Sequence, residues 1–212
     1  MYKFLALLTV ASYVGLQGWR TLFNNFAVEV AHLQGDQIGF IQSVREVPGF
    51  LSLLVVFLLL IFREHKLSAL SIVFLGVGTG LTGFFPSFPG LMVTTFLMSF
   101  GFHYYETTNQ SLTLQYFEKT TSPWVFGKLR GLAAASNIGV GVFILVISTI
   151  LSYKLIFLTL GIFIGFIGIW GMTQDPSRVD IRPQHKKMIF RKKYWLFYFL
   201  TFMAGARRQI FV

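Results

Sequence analysis

"LIFLTLGIFIGFIGIWGM", residues 155–172, runs for 18 residues without a charged side chain. A helix needs about 20 mostly apolar residues to cross about 30 Å of hydrocarbon, so this run predicts a membrane-spanning helix. Helices are expected because lipid offers no partners to unpaired backbone groups. The run is continuously apolar and does not alternate with polar residues, which argues against a membrane β-barrel. The stretch therefore predicts an all-α membrane protein.

The rest of the chain has the same character. Hydrophobic residues make up 54% of the 212 positions and charged residues only 12%, and the mean hydropathy is +0.65. Soluble domains carry about 25% charged residues, so the composition predicts a polytopic transmembrane helix bundle. Further apolar segments cover about 4–30, 38–62, 67–85, 91–117 and 127–151, and a last one begins near 194 and runs to 212.

The N-terminal sequence "MYKFLALLTVASYVG", residues 1–15, has a basic residue before an apolar run, as a signal peptide does. The apolar run continues past Arg20 to about residue 30, which favours a first spanning helix over a cleaved signal. The chain has no cysteine, so disulfides and thiolate metal sites are excluded.

The net charge of +10 is distributed unevenly. Thirteen of the 18 lysines and arginines lie at the N-terminus or in the connections 63–66, 118–130 and 178–193, which share one side; the opposite connections hold only Lys154. Basic connections face the cytoplasm, so we expect a multi-pass protein of the cell membrane with a cytoplasmic N-terminus. This placement favours a lipid bilayer as the partner and argues against nucleic acid.

Three regions follow. We expect a six-helix transmembrane bundle at 1–173, a basic cytoplasmic loop at 174–193 and the start of a second, truncated transmembrane bundle at 194–212. The loop either fixes the topology alone or also binds anionic headgroups, at about 1 kcal/mol for each basic residue. Because arginines lie in the incomplete last span, we read the chain as a fragment whose partner is the missing C-terminal half.

Charged side chains at the bilayer centre cost at least about 2.5–3.5 kcal/mol and usually face a cavity or a partner. The basic residues inside predicted spans are Arg20, Arg45, Arg207 and Arg208. Helical spacing joins some of them to other polar residues in stripes on single helix faces. The stripes are Tyr13, Gln17, Arg20 and Asn24 on the first helix, Gln42, Arg45, Gly49 and Ser52 on the second, and Ser99, His103, Glu106, Gln110 and Thr113 on the fourth. They predict a shared polar cavity.

These polar residues have two interpretations. Interhelical hydrogen bonds are worth roughly 0.6 kcal/mol each, and several of the stripe residues need do no more than that. A permanent cation is not required for such bonding, which favours a functional role for Arg20, whereas Arg45 can pair with the adjacent Glu46. His103 and Glu106 are helical neighbours and either carry protons, or Glu106 neutralises one of the two arginines.

No other chemistry is visible in the sequence. One histidine and one acid offer too few ligands for a metal, and no nucleophile–base arrangement or nucleotide loop occurs. We therefore expect no metal, no cofactor and no enzymatic activity. Three Gly-x-x-x-Gly motifs, at 76–80, 127–131 and 161–165, predict close contacts between helices.

The chain also contains signs of a repeat. Gly205-Ala206-Arg207 echoes Gly18-Trp19-Arg20, one helix past the basic loop. With "QGDQIGFIQSV" (34–44) entering the second helix, "FREHKLSAL" (62–70) between helices two and three, and "GKLRGLAAASNIGVGV" (127–142) in the fifth helix, the chain resembles the N-terminal half of a major facilitator superfamily transporter.

The resemblance implies a secondary active transporter that moves its solute by alternating access. An arginine from helix one and another from helix seven resembles the organophosphate/phosphate antiporters, in which such a pair clamps an anion. Arg20 and Arg207, with Arg45, Gln17, Asn24 and Tyr13, would then bind a small anionic substrate, and Glu106 and His103 would couple protons. The alternatives are a proton-driven exporter and a non-transporting receptor or scaffold, the latter because 62–70 departs from the family's usual loop.

Overall fold

The computed structural model describes residues 1–177, 191–196 and 199–200. Across these residues the fold is all-helical. The long helices are α1 (Tyr2–Glu29), α2 (Gly35–Leu58), α3 (Glu64–Thr82), α4 (Phe88–Tyr116), α5 (Ser122–Ile147) and α6 (Tyr153–Thr173). A short 3-10 turn follows at Lys192–Tyr194. Each of the first six predicted segments is confirmed as a helix, and most of the seventh lies outside the described residues.

Three of the helices, α2, α5 and α6, are long and apolar enough to cross a membrane by length and composition. Only 17% of the most apolar window of α2 and 22% of that of α5 is buried inside the protein, so these helices turn apolar surface outward. Water disfavours such surface and hydrocarbon accepts it. These three helices indicate a membrane protein.

Helices α1 and α4 form the centre of the bundle. Helix α1 packs against α5 and α6, α4 packs against α2 and α3, and α3 packs along α6. The largest fully buried side chains of the core are Trp19, Phe23, Phe26, Tyr105 and Phe157. Exchanging helices α1–α3 with α4–α6 maps these main contacts onto one another, whereas the further contacts of α1 with α3 and of α4 with α5 have no counterpart of similar size in the described bundle.

Two of the three glycine motifs bring α3 and α6 together. A Cβ added to Gly76 would lie 2.7 Å from the backbone nitrogen of Gly165, and one added to Gly80 would lie 3.2 Å from Cα of Gly161. The predicted close packing is confirmed there, because only glycine allows the two backbones to approach so far. The third motif differs: a Cβ at Gly127 or Gly131 would meet nothing within 4 Å in the described part of the chain.

Helix α2 is irregular in its second half. Pro48 lies inside the helix, and the α-helix gives way to a 3-10 turn at Ser52–Leu54 before the last helical turn. Irregular backbone needs other hydrogen-bond donors for its carbonyls inside a membrane. Helix α4 supplies them, since Ser99 donates to the Arg45 carbonyl and Tyr104 donates to the Leu51 carbonyl at 2.8 Å. These bonds place the polar face of α2 against α4.

Polar contacts fasten the connections at both ends of the bundle. Lys66, at the start of α3, donates to the carbonyls of Met172 and Gln174 at 2.5 and 2.9 Å, and Arg63 lies 3.2 Å from the Asp175 carboxylate. These five residues form what we call the α3–α6 clasp. At the opposite end, the hydroxyl of Tyr153 donates to Glu29 at 2.8 Å, which joins α6 to α1.

Candidate functional site

The polar stripes of α1, α2 and α4 meet in the structure. The side chain of Gln42 on α2 donates to Asn24 on α1 at 3.4 Å, and the guanidinium of Arg45 lies 5.9 Å from the ring centre of Trp19. From α4, Ser99 reaches the backbone of Arg45. The capping of α2, where Gln37 accepts from the Gln34 amide at 3.0 Å, sets where this helix begins and thus which face it turns to α4.

Arg45 forms an ion pair with its neighbour Glu46. Its Nη2 and Nε both donate to Oε1 of Glu46, at 2.7 and 3.0 Å. The side chains are 13% and 23% exposed, so the pair is largely withdrawn from solvent. The pairing predicted between these two residues is confirmed. A withdrawn cation needs such a counter-charge because the desolvation cost is otherwise uncompensated.

His103 extends this pair to α4. Its Nε2 lies 4.0 Å from the second carboxylate oxygen of Glu46. The ring fits against Gly49, where an added Cβ would stand 3.1 Å from Cε1, so glycine at that position leaves room for the imidazole. The geometry forms a row of guanidinium, carboxylate and imidazole across the α2–α4 contact, in which a change in the charge of one group acts on the other two.

Arg20 is in a different position from Arg45. It lies on the exposed side of α1, and within the described part of the chain it makes neither a hydrogen bond nor an ion pair. It lies within electrostatic range of Arg45 and Glu46. Arg20 and Arg45 therefore act electrostatically on each other, and only Arg45 is bonded to a carboxylate.

The other predicted residues of α1 contribute differently. The hydroxyl of Tyr13 accepts from Arg130 on α5 at 3.2 Å, and its ring packs edge-on against Phe102 on α4. Gln17 donates to Thr21 one turn along the same helix, at 3.4 Å. Tyr13 and Asn24 thus connect the α1 stripe to neighbouring helices, whereas the bond of Gln17 stays within α1.

Glu106 is half-buried on α4, one turn from His103, and it acts electrostatically on Tyr105. The proton-carrying role of Glu106 and His103 stays a prediction. The alternative in which Glu106 neutralises Arg20 or Arg45 also stays a prediction, although Glu46 already pairs with Arg45. Arg207 and Arg208 lie outside the described residues.

Two residues of this region were not assigned to the site from the sequence. The sequence indicates Glu46 only as a local partner of Arg45. The residue seven positions further on is the apolar Leu53, so the spacing does not place Glu46 in a polar stripe. The sequence places Arg130 in the basic connection 118–130, whereas in the structure it lies on the third turn of α5 and donates a hydrogen bond to Tyr13. The signal for Arg130 was its spacing of seven from Asn137, which is also a polar residue on an apolar helix.

The described residues contain no group of three or more histidines, cysteines or acids that could hold a metal ion. The chemistry offered by the site is thus that of two guanidiniums, Arg45 in an ion pair with Glu46 and Arg20 within electrostatic range of the same carboxylate, beside the imidazole of His103. Guanidinium groups are suited to binding oxyanions through charge and hydrogen bonds. In comparisons with known proteins, no protein-family model matches this chain and no curated protein matches it at a significant level.

Proposed function

We propose that this protein is a secondary active transporter that moves a small anion across the membrane by alternating access. The observation that carries the proposal is Arg20, a permanent cation on a central helix of a membrane protein, beside a second arginine and without an ion-pair partner among the described residues. Charged groups at such depth are expensive and mark substrate or ion pathways.

The packing of the bundle supports a major-facilitator-like N-terminal half. In that superfamily each six-helix half consists of two related triplets of helices, and substrate lies near the middle of the membrane. Here exchanging α1–α3 with α4–α6 maps the main helix contacts onto one another, although the contacts of α1 with α3 and of α4 with α5 have no such counterpart in the described bundle. Polar residues of α1 and α4 both reach α2 near Arg45, through the bond from Gln42 to Asn24 and the bond from Ser99 to the Arg45 carbonyl.

The chemistry of arginine supports an anionic solute. Its planar fork of donors matches carboxylates and phosphates, and it remains charged under all physiological conditions. We propose that Arg20 and Arg45 bind the anion from this half, with Asn24 and Tyr13 beside them, and that Arg207 completes the clamp from the second half. The protein would be multi-pass in the cell membrane, with its N-terminus in the cytoplasm.

The test is anion exchange by the full-length protein in sealed proteoliposomes. We expect uptake of at least one labelled anion from a panel of inorganic phosphate, sulfate and a small dicarboxylate. Arg20→Gln should reduce uptake by about 10- to 100-fold, because a hydrogen bond to a charged group contributes about 1.5–3 kcal/mol. Thr21→Val, on the adjacent exposed position of α1, is the matched control and should transport normally.

Three results would contradict the proposal. Uptake that survives Arg20→Gln with unchanged affinity would remove the anion site. Binding of an anion without flux would favour a receptor that kept the fold. Export of an uncharged or cationic solute, lost in Glu106→Gln and retained in Arg20→Gln, would favour the proton-driven exporter.

A further inference from the structure

The ion pair between Arg45 and Glu46 has a feature that a purely structural pair does not need. Two N–H donors of Arg45, at Nε and Nη2, bond to Oε1 of Glu46. The other carboxylate oxygen, Oε2, lies 4.0 Å from Nε2 of His103 on α4. The carboxylate thus lies between a cation and a titratable ring. The nearby Arg20 has no such carboxylate of its own among the described residues.

We propose that Glu46 is an internal competitor for the transported anion: its carboxylate occupies Arg45 in the empty site, and a divalent anion replaces it when Glu46 takes up a proton. The inference rests on the proposed function and deepens it. It identifies the substrate class as a dianion and the coupled ion as a proton.

The argument begins with the charges. Arg20 and Arg45 contribute two positive charges to the described part of the site and Glu46 removes one. Before the second half contributes Arg207, a dianion that entered with Glu46 ionised would place three negative charges beside two positive ones, next to an Arg45–Glu46 pair that is largely withdrawn from solvent. Like charges in such surroundings repel strongly. Protonating Glu46 restores the balance of two charges against two.

The second step concerns donors. The carboxylate of Glu46 occupies the Nε–Nη2 edge of the Arg45 guanidinium, which is one of the edges at which an oxyanion can be bound through two donors. Once protonated, Glu46 loses its charge and holds Arg45 only as a neutral acceptor. The proton comes from water on the side to which the site opens, and it leaves with the anion on the other side.

The surrounding groups determine which residue takes the proton. Among the charged and titratable groups near Glu46 are Arg45 on α2, Arg20 on α1 and His103 on α4, and Glu106 lies one turn from His103. His103 is the nearest titratable group and shares the proton with Glu46, so it shifts the pH range of the coupling. Glu106 lies a turn further along α4 and is not needed for it.

The experiment measures equilibrium binding of sulfate to the full-length protein from mildly acidic to mildly alkaline pH. Sulfate remains a dianion throughout this range, so any pH dependence belongs to the protein. We expect the affinity of the wild type to rise by up to about tenfold for each pH unit lost, as linkage to one proton requires. In Glu46→Gln the affinity should be independent of pH and about tenfold tighter than the wild type at neutral pH.

Matched variants separate coupling from structural effects. Glu46→Asp keeps a carboxylate and should restore the pH dependence. His103→Gln should move the pH range without removing the dependence. Glu29→Gln removes a carboxylate that is bound to Tyr153 at the far end of α1, and it should behave as the wild type.

A second measurement does not depend on anion binding. Arginine labelling with a dicarbonyl reagent, followed by peptide mass spectrometry, should modify Arg45 several-fold faster in Glu46→Gln than in the wild type. Equal rates would overturn the inference, because Glu46 would then not be shielding the guanidinium.

The binding outcomes are also decisive. If the wild type binds sulfate through Arg20 but Glu46→Gln keeps the pH dependence, the inference is wrong and the proposed function stands. Loss of the dependence in Glu106→Gln, with Glu46→Gln unaffected, overturns it equally and assigns the proton to Glu106. If the wild type binds no anion of the panel, the proposed function is wrong and this inference falls with it.

Discussion

At the scale of single residues, the same side chain occurs in two environments within this protein. Arg45 is held by Glu46 and withdrawn from solvent, whereas Arg20 lies on the exposed side of α1. Some neutral polar side chains also have a partner inside the bundle: Tyr105 is fully buried, and its hydroxyl lies 2.7 Å from that of Thr9. Other buried polar atoms, among them Ser12 Oγ, Trp19 Nε1 and Asn109 Oδ1, make no hydrogen bond within the described part of the chain.

The bond between Thr9 and Tyr105 predicts a measurable coupling between α1 and α4. Tyr105→Phe should lower the free energy of unfolding by about 0.6–1.7 kcal/mol, the range found for hydrogen bonds between membrane helices. Thr9→Val should cost a similar amount, and the double variant should cost less than the sum of the two. Denaturant unfolding of all four proteins measures this, and strict additivity would show that the hydroxyls do not interact.

At the scale of helices, glycine positions and terminal contacts fix the arrangement. Helices α3 and α6 approach closely through Gly76, Gly80 and Gly161, while the clasp residue Lys66 caps the C-terminal end of α6. The close glycine contacts and the hydrogen bonds of Lys66 each hold α3 and α6 together, where the two helices could otherwise slide or separate. They fix one side of the bundle, opposite the polar faces of α1 and α2.

Two glycine motifs of the same form should respond oppositely to substitution. Gly161→Val places new atoms against the backbone of α3 and should destabilise the protein by about 1–3 kcal/mol or more. Gly127→Ala meets nothing in the described structure and should be neutral or stabilise α5 by up to about 1 kcal/mol. Thermal unfolding in detergent compares the two. A strong loss of stability in Gly127→Ala would reveal a partner for that face.

The clasp predicts a second effect at this scale. Lys66→Met removes the donor to two terminal carbonyls of α6 and should cost about 0.3–1 kcal/mol, as cations at helix C-termini contribute. The expected readout is a lower Tm, measured beside Lys119→Met in the exposed connection before α5. Equal Tm values for the two variants would mean that Lys66 contributes nothing beyond its charge.

The clasp should also depend on pH through Asp175. Hydrogen bonds from the hydroxyl and the amide of Ser177 lower the pKa of Asp175, and His65 and Arg63 lower it further. A lowered pKa means that the ionised carboxylate stabilises the fold, so the contribution is present at neutral pH and is lost as the pH falls below the ordinary value of 3.8. Asp175→Asn should have a slightly lower Tm than the wild type at neutral pH, and the difference should vanish in acid.

At the scale of the whole molecule, alternate connections gather at the same end of the bundle. The clasp brings the start of α3 next to the end of α6, and Tyr153 brings the start of α6 next to the end of α1. The basic connection 63–66 therefore lies at the end of the bundle where α6 finishes, and Lys154 lies at the opposite end of the described bundle. We propose that the end with 63–66 faces the cytoplasm, as the positive-inside rule favours.

The absence of cysteine makes this orientation simple to test. Single cysteines at Glu118 and Ser177 should react with an impermeant maleimide only in inside-out vesicles. Cysteines at Gln34, Ser87 and Ser152 should react only in right-side-out vesicles. Labelling of both sets from the same side would contradict a multi-pass arrangement, and the reverse pattern would invert the orientation.

The sequence determined the helices and left their contacts open. Apolar runs of about membrane length, separated by charged connections, predicted six helices within a few residues, because lipid imposes both the length and the hydrogen bonding of a span. The spacing of Tyr13, Arg20 and Asn24 likewise placed them on one face, since a helix has a fixed period. Membrane hydropathy and charge could therefore be read directly from the chain.

Only the tertiary structure decided which polar groups meet. The placement of helices distant in sequence decides that Glu46 faces His103, that Arg130 reaches Tyr13, and that two glycine motifs pack closely whereas the third does not. Spacing along one helix says nothing about the rotation and depth of its neighbours. The physical reason is that packing against a common core sets the rotation and depth of each helix, and such packing involves several helices at once.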